Sequence, residues 1–272
     1  MIKVILLDID GTLTNSKKEI SPRTKEALLK AQEQGITLAL CSGRTDNGLM
    51  RYAKELDMIH HNGLFVCFNG GKVMNCQTNE VLFNQTMNIQ TIKAILNHLK
   101  QFDVQPVITN GKYMYVTDVF KNEIHVPETF NVLQYESRSN GYLLCEVDDL
   151  AEFVDFEVNK ILTYGEPEYL KEHYLEMSEP FKDTLNSMFT APFYFEYTDK
   201  GIDKAKAIQE SFPFKPEEMI AFGDAQNDIS MLSYAGIGVA MANATDETKA
   251  IADFITKSND EDGIAYALEK FL

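Results

Sequence analysis

Ile2-Lys3-Val4-Ile5-Leu6-Leu7-Asp8-Ile9-Asp10-Gly11-Thr12 begins as an almost unbroken apolar run and ends in two acids and a glycine. A short apolar run without polar alternation fits a strand buried on both faces, as in a parallel sheet covered by helices. Its carboxyl end would carry Asp8 and Asp10. Downstream, Ser21-Pro22 supplies an N-cap and a first-turn proline for a helix to about residue 34, and Gly35 closes it. Residues 36–41 read as a second strand, 47–56 as a helix and 65–68 as a third strand. This β-α-β-α-β alternation implies a parallel sheet with crossover helices.

The rhythm changes near residue 87. A helix over 87–102 precedes two strands, 104–109 and 112–117, and a second α-β-β set follows at 167–177, 185–190 and 193–197. Between the two sets lie a helix near 148–156 and a strand at 160–164. Tyr113, Tyr115, Phe193, Phe195 and Tyr197 alternate as residues packing on a sheet do, with stacking on a ligand as the alternative reading. After Asp199-Lys200-Gly201 the first pattern resumes, with a helix at 203–211, a strand at 219–222, a helix at 227–234 and further short units to the end. The expected organisation is a Rossmann-like α/β core formed by 1–86 and 199–272, interrupted by an α+β insertion over 87–198.

Composition narrows the partners. The 272 residues include 41 acids against 25 bases, a formal net charge of -16, with no dense Lys/Arg run. Nucleic acid, whose recognition needs a basic stripe, is excluded as a partner. An acidic protein that binds a phosphate must assemble positive charge locally, from a metal or from single lysines. Cys41, Cys67, Cys76 and Cys145 form no Cys-x-x-Cys pair and read as reduced thiols. No segment approaches the roughly 20 apolar residues needed to span a bilayer, and the opening run stops at its acids instead of resembling a secretion signal. A cytoplasmic location without membrane partners is the expectation.

Ligands of open parallel sheets bind beyond the carboxyl ends of the strands. Three predicted strands end in reactive residue types: Asp8 and Asp10, then Ser42-Gly43, then Gly223-Asp224-Ala225-Gln226-Asn227-Asp228. Converging carboxylates repel one another and call for a cation, and Mg2+ is the hard cation suited to oxygen ligands. Each piece alone has an ordinary reading. Strand-end aspartates cap helices, Ser-Gly makes turns, and Lys204 would be a solvated lysine. His60-His61 lacks nearby acids or thiols at ligand spacing and reads as loop.

In this order, Asp8-Ile9-Asp10-Gly11-Thr12, Ser42-Gly43-Arg44, Lys204 and Gly223-Asp224-Ala225-Gln226-Asn227-Asp228 resemble the haloacid dehalogenase superfamily. The layout is similar to its Cof-type phosphatases, in which a large α/β cap interrupts the core. Phe68-Asn69-Gly70-Gly71 resembles the Asn-Gly segment of that branch, while Ala205 departs from the glycine many relatives carry after the lysine.

The resemblance implies an Mg2+-dependent phosphatase acting on a small-molecule phosphate ester. Asp8 is then the nucleophile, and Asp10 the acid and base. The metal would be held by Asp8, the Asp10 main-chain carbonyl and Asp224, with Asp228 ligating directly or through water. Ile9, Ser42, Gly43, Lys204 and Asn227 would bind phosphate, and Arg44, Asn69 and Gly70 are candidates for substrate contact. Arg44 has an equally good reading as a loop anchor to Asp46 or another acid. A sugar phosphate is the expected substrate, with flavin mononucleotide or pyridoxal phosphate as second choices. The rival activities are phosphosugar mutation and silent binding of a phosphorylated ligand, and the oligomeric state is left open.

Overall fold

In the computed structural model, which describes residues 1–126 and 128–272, the opening run becomes strand β1 (Val4–Leu7) with every side chain buried. Its neighbours along the chain are α1 (Pro22–Glu33), β2 (Thr37–Cys41), α2 (Asp46–Glu55), β3 (Leu64–Cys67), β4 (Lys72–Asn75) and β5 (Val81–Asn84). Ser21 caps α1 by accepting from the Thr24 amide, with Pro22 in the first turn.

The middle of the chain forms α3 (Ile89–Leu99), β6 (Gln105–Asn110), β7 (Tyr113–Val116), β8 (Glu123–Val126), β9 (Glu128–Asn131) and α4 (Val132–Asn140). It continues through β10 (Leu143–Glu146), α5 (Leu150–Phe153), β11 (Lys160–Tyr164), α6 (Pro167–Ser178), β12 (Leu185–Ala191) and β13 (Tyr194–Asp199). The last stretch comprises α7 (Lys204–Ser211), β14 (Met219–Gly223), α8 (Ile229–Tyr234), β15 (Ile237–Ala240), α9 (Asp246–Ile251), β16 (Phe254–Ile255) and α10 (Gly263–Phe271).

Two units result, one formed by Met1–Asn84 with Asp203–Leu272 and the other by Gln85–Ile202. These limits lie slightly outside the 87–198 insertion expected from sequence. Gln85 donates to Asp199 Oδ2 at 2.7 Å and Lys200 donates to the Lys182 carbonyl at 2.6 Å, so the connecting residues pair within the middle unit.

The first unit holds an eight-stranded sheet in the order β16-β15-β14-β1-β2-β3-β4-β5. The six strands from β16 to β3 run parallel, and β4 and β5 are antiparallel additions at one edge. The chain leaves β1 toward β2 and returns on the opposite side at β14. The order therefore reverses at β1, which opens a crevice at its carboxyl end.

Period-two alternation divides the core between the faces of this sheet. Ile5, Leu7, Leu38, Leu40 and Phe65 join the cluster containing Leu28, Leu49 and Leu268 of α1, α2 and α10. Val4, Leu6, Ala39 and Cys41 join Ala207 and Ile208 of α7 and Met231 and Leu232 of α8. Burial on both faces is why β1 reads as a continuous apolar run.

The middle unit has a six-stranded sheet, β10-β7-β6-β11-β13-β12, and a separate β8-β9 hairpin. Only the β10-β7 pair is parallel. Of the alternating aromatics, Phe195 and Tyr197 are buried with ring centroids 5.2 Å apart and Tyr115 lies 4.8 Å from Phe153, whereas Phe193 packs against a different cluster and Tyr113 is exposed. The β4-β5 hairpin and most of the elements between 118 and 147 were not legible in the sequence. Their strands are short, and those such as β5 and β10 are too exposed to carry apolar periodicity.

One glycine ties the core together. Gly70 has φ +105°, and a Cβ there would fall 2.3 Å from the Asp203 carbonyl oxygen, against the first turn of α7. Gly70→Ala is expected to cost about 2–4 kcal/mol, because it adds overpacking to a strained backbone. The check is the thermal unfolding midpoint of the purified variant, which should fall by several degrees.

Candidate active site

The crevice beyond β1 collects side chains from four chain segments. The Asp8 amide donates to the Phe222 carbonyl at 3.1 Å, extending the β1-β14 ladder by one residue. Continued alternation puts the Asp8 side chain on the same face as Val4 and Leu6, which is the face covered by α7. Lys204, at the start of α7, meets it there.

The Lys204 ammonium is buried and makes three bonds: to Asp8 Oδ1 at 2.8 Å, to Asp228 Oδ1 at 2.6 Å and to the Cys41 carbonyl at 2.7 Å. Burial opposes its charge, but Asp228 and Asp8 outweigh this and raise its pKa, so it stays an ammonium. Asp228 uses its other oxygen to accept the amides of Asp224 and Ala225, each at 3.0 Å, which fixes the loop after β14.

Asp8, Asp224 and Asp228 offer carboxylate oxygens that all lie within 4.8 Å of one another. Burial, then Asp228, pushes the Asp8 carboxyl well above its ordinary range, against the opposing pull of Lys204. Asp224 is pushed up to about 6, chiefly by burial and opposed by the hydrogen bond that Thr12 Oγ1 donates to it at 2.6 Å. Three carboxylates around one ammonium leave an excess of two negative charges when all are ionised. Asp8 Oδ2 and Asp224 Oδ2 accept no hydrogen bond among the described residues, so hard oxygen donors remain for a divalent cation.

Gly11 admits this approach. It has φ +89°, and a Cβ there would lie 2.4 Å from Asp224 Oδ2. Across the crevice, Gly43 packs on the Asn69 amide group, and Asn227 Nδ2 donates to Asn69 Oδ1 at 3.0 Å. Ser42 is buried, and its hydroxyl accepts from the Arg44 amide at 3.2 Å. The Ile9 side chain belongs to the hydrophobic core, and its carbonyl accepts from the Thr14 amide and hydroxyl.

Asp10 is held apart from the acid cluster. Arg44 grips it with two bonds, Nε to Oδ2 at 2.8 Å and Nη2 to Oδ1 at 2.9 Å, and Lys18 adds a third to Oδ1 at 2.9 Å. Burial alone would raise its pKa, but the two cations lower it below the ordinary carboxylate range. The acid that Arg44 pairs with is Asp10 rather than Asp46, which pairs with Lys72.

Thr12, Lys18 and the Cys41 carbonyl escaped the sequence reading. Thr12 stood in the opening motif and carried a signal, whereas a main-chain carbonyl carries none. His60 sits in the turn Met58–His61 and pairs with Asp57, a nearby acid that the sequence reading of this histidine pair overlooked, but it takes no part in this cluster. The four cysteines are unpaired, and three are buried. Among the described residues no helix is long and apolar enough to cross a membrane.

The model of the haloacid dehalogenase-like hydrolases matches residues 5–268. A Bacillus subtilis protein named 5-amino-6-(5-phospho-D-ribitylamino)uracil phosphatase YcsE is 30% identical over 100% of this chain and 96% of its own length. Phosphatase YwpJ of the same organism is 27% identical, covering both chains fully. The solved structure of a haloacid dehalogenase-like hydrolase from Bacteroides thetaiotaomicron superposes with a TM-score of 0.90 at 33% identity, over 100% of both chains. A family match spanning nearly the whole sequence, joined to likeness in sequence and structure along its full length, makes this chain a phosphatase of the haloacid dehalogenase-like hydrolase family, in its Cof-type branch.

Proposed function

We propose that the chain is an Mg2+-dependent phosphatase that hydrolyses a small sugar or sugar-alcohol phosphate through a phosphoryl group carried on Asp8. The carrying observation is the placement of Asp8, a buried carboxylate whose Oδ1 is held by Lys204 while Oδ2 accepts no hydrogen bond among the described residues. A nucleophile needs such an oriented, available oxygen.

In the first transfer Asp8 attacks phosphorus, the ester oxygen leaves, and Asp10, which must first part from Arg44 and Lys18 and take up a proton from solvent, supplies that proton. In the second, Asp10 takes a proton from water, which attacks phosphorus and releases Asp8 and inorganic phosphate. Ser42, Gly43 and Asn227, with the Ile9 main chain, are assigned to the phosphate oxygens, and Lys204 lends positive charge from behind Asp8. Asp8, Asp224 and the Asp10 carbonyl would hold the cation, and Asp228 orients Lys204 and the loop beside it. Bound Mg2+ neutralises phosphate oxygen charge.

The substrate assignment rests on chemistry that YcsE is named for, a phosphate on a ribityl chain. YitU of Bacillus subtilis, 26% identical, carries the same substrate in its name. A screen of sugar, sugar-alcohol, flavin and pyridoxal phosphates by kcat/KM, without a bisphosphate activator, tests the substrate class and separates hydrolysis from mutation.

Three outcomes follow from the geometry. Asp8→Asn should abolish phosphate release while leaving the thermal midpoint near that of the parent, and substantial remaining turnover would reject the nucleophile. Asp10→Asn should cost roughly 10²–10⁴-fold on alkyl phosphates and much less on aryl phosphates, whose leaving groups need no proton. Equal losses on both would remove Asp10 as the acid.

The third outcome concerns pH. With the pKa of Asp224 raised to about 6, the folded chain binds that proton more tightly than the unfolded one. The metal-free fold therefore loses stability as pH rises from the ordinary carboxylate range through that value. Mg2+ binds the ionised form, so its effect on the thermal midpoint should be small at about pH 5 and larger at about pH 7.5. An equal shift at both would contradict the site.

A further inference from the structure

Asn243 follows β15 in an exposed turn and would pass for an ordinary turn asparagine. Its side chain reaches out of that turn instead. Nδ2 donates to the Gly11 carbonyl at 2.8 Å, and Oδ1 accepts the Asn259 amide at 3.0 Å. A backbone acceptor on one side and a backbone donor on the other call for a side-chain amide. Aspartate would face the Gly11 carbonyl with a second acceptor.

Gly11 lies against Asp224, so close that a Cβ would fall 2.4 Å from Asp224 Oδ2. The peptide joining Gly11 to Thr12 makes two hydrogen bonds among the described residues. Its carbonyl takes Asn243 Nδ2 at 2.8 Å, while its amide reaches the Ile9 carbonyl at 3.4 Å. Asn243 is the shorter tether. Thr12 carries the effect on, because its hydroxyl is the donor that Asp224 Oδ1 accepts at 2.6 Å, which occupies one oxygen and leaves Oδ2 open.

The same turn grips Asp224 from its other end. Thr245, two residues after Asn243, donates its amide to the Asp224 carbonyl at 3.0 Å, and the Ala244 amide closes the turn on the Met241 carbonyl at 2.9 Å. Main chain and carboxylate of Asp224 are thus referred to one short segment, the first directly and the second through Gly11 and Thr12. Anchorage of the loop between β1 and α1 does not require Asn243. Asn259 Nδ2 donates to the Thr14 carbonyl at 2.9 Å, the Ser16 amide and hydroxyl donate to Asp260, and the Ser21 hydroxyl donates to Asp262.

We infer that Asn243 is a positioning residue for the metal site, fixing the Gly11-Thr12 peptide so that Thr12 holds the Asp224 carboxylate ready for the cation. This rests on the reading of Asp224 as a metal ligand. Partners one step behind a ligand set metal affinity by roughly 10–100-fold, and Asn243 stands one bond further back, at the lower end of that range.

The measurement is the Mg2+ dissociation constant of the substrate-free protein by titration calorimetry, with the metal-free thermal midpoint beside it. The proteins are the parent, Asn243→Ala, Thr12→Val, Thr12→Val/Asn243→Ala and Asp224→Asn. Asn243→Ala should weaken Mg2+ binding about tenfold. In the Thr12→Val background the effect should largely vanish, since the hydroxyl through which Asn243 acts is gone. A merely structural asparagine would lower the midpoint and leave the dissociation constant within about twofold of the parent's.

If Asp224→Asn binds Mg2+ as tightly as the parent, Asp224 is no ligand and the inference falls with that reading. If Asp224→Asn loses Mg2+ while Asn243→Ala keeps the parent's constant, or loses as much affinity with Thr12→Val as without it, Asn243 is no positioning residue and the reading of Asp224 stands. Should Asn243→Ala fail to fold, Asn243→Asp takes its place, because it keeps the acceptor for the Asn259 amide. Weaker Mg2+ binding in spite of the added negative charge then supports the inference, and unchanged or tighter binding overturns it.

Discussion

Burial of the Lys204 ammonium constrains the rest of the core. A charge withdrawn from water is tolerated only if its donors are all satisfied and its charge balanced, and here three acceptors do both. Those acceptors belong to segments remote in sequence: the end of β1, the end of β2 and the loop after β14. Removing any acceptor would leave part of a buried cation unpaired. The ammonium therefore fixes three strand ends in register with the first turn of α7, and α7 is held in turn by the close packing of Gly70 on Asp203.

The same constraint sets the electrostatics. Lys204 offsets one negative charge of the three-carboxylate cluster and leaves the others for a cation that the chain does not itself supply. Thr12 and the backbone amides hold the acids at their mutual distance despite repulsion. Asp10, only two residues from Asp8, lives in the opposite environment. Two side-chain cations lower its pKa while burial raises those of Asp8 and Asp224. Two carboxyl groups on one short segment are thereby given different proton affinities, in the reverse of the order that an ionised nucleophile and a protonated acid require of the working, cation-bound site.

Legibility in the sequence followed burial and chemistry. β1, β2 and β14 were readable because both of their faces are covered, so their composition is uniformly apolar. β4, β5 and the strands between 118 and 147 were not, because edge strands and hairpins carry weak periodicity. The acids and Lys204 stood out as motif residues, yet nothing in the motif order distinguished a buried lysine with three acceptors from a solvated one. Arg44 had two equal readings in sequence. The acid it pairs with is Asp10, a contact that depends on how two loops converge.

By itself the sequence determined the α/β alternation, the interruption of the core by a second unit, and the residue types gathered at the strand ends. These follow from local physics: apolar period, caps, turn residues and the chemistry of side chains. Tertiary structure alone decided which acid pairs with which base, which oxygens stay available, and that Lys18 joins Arg44 on Asp10. Those outcomes depend on distances of a few ångströms between segments far apart in the chain. Sequence spacing carries no information about such distances until the sheet order is set.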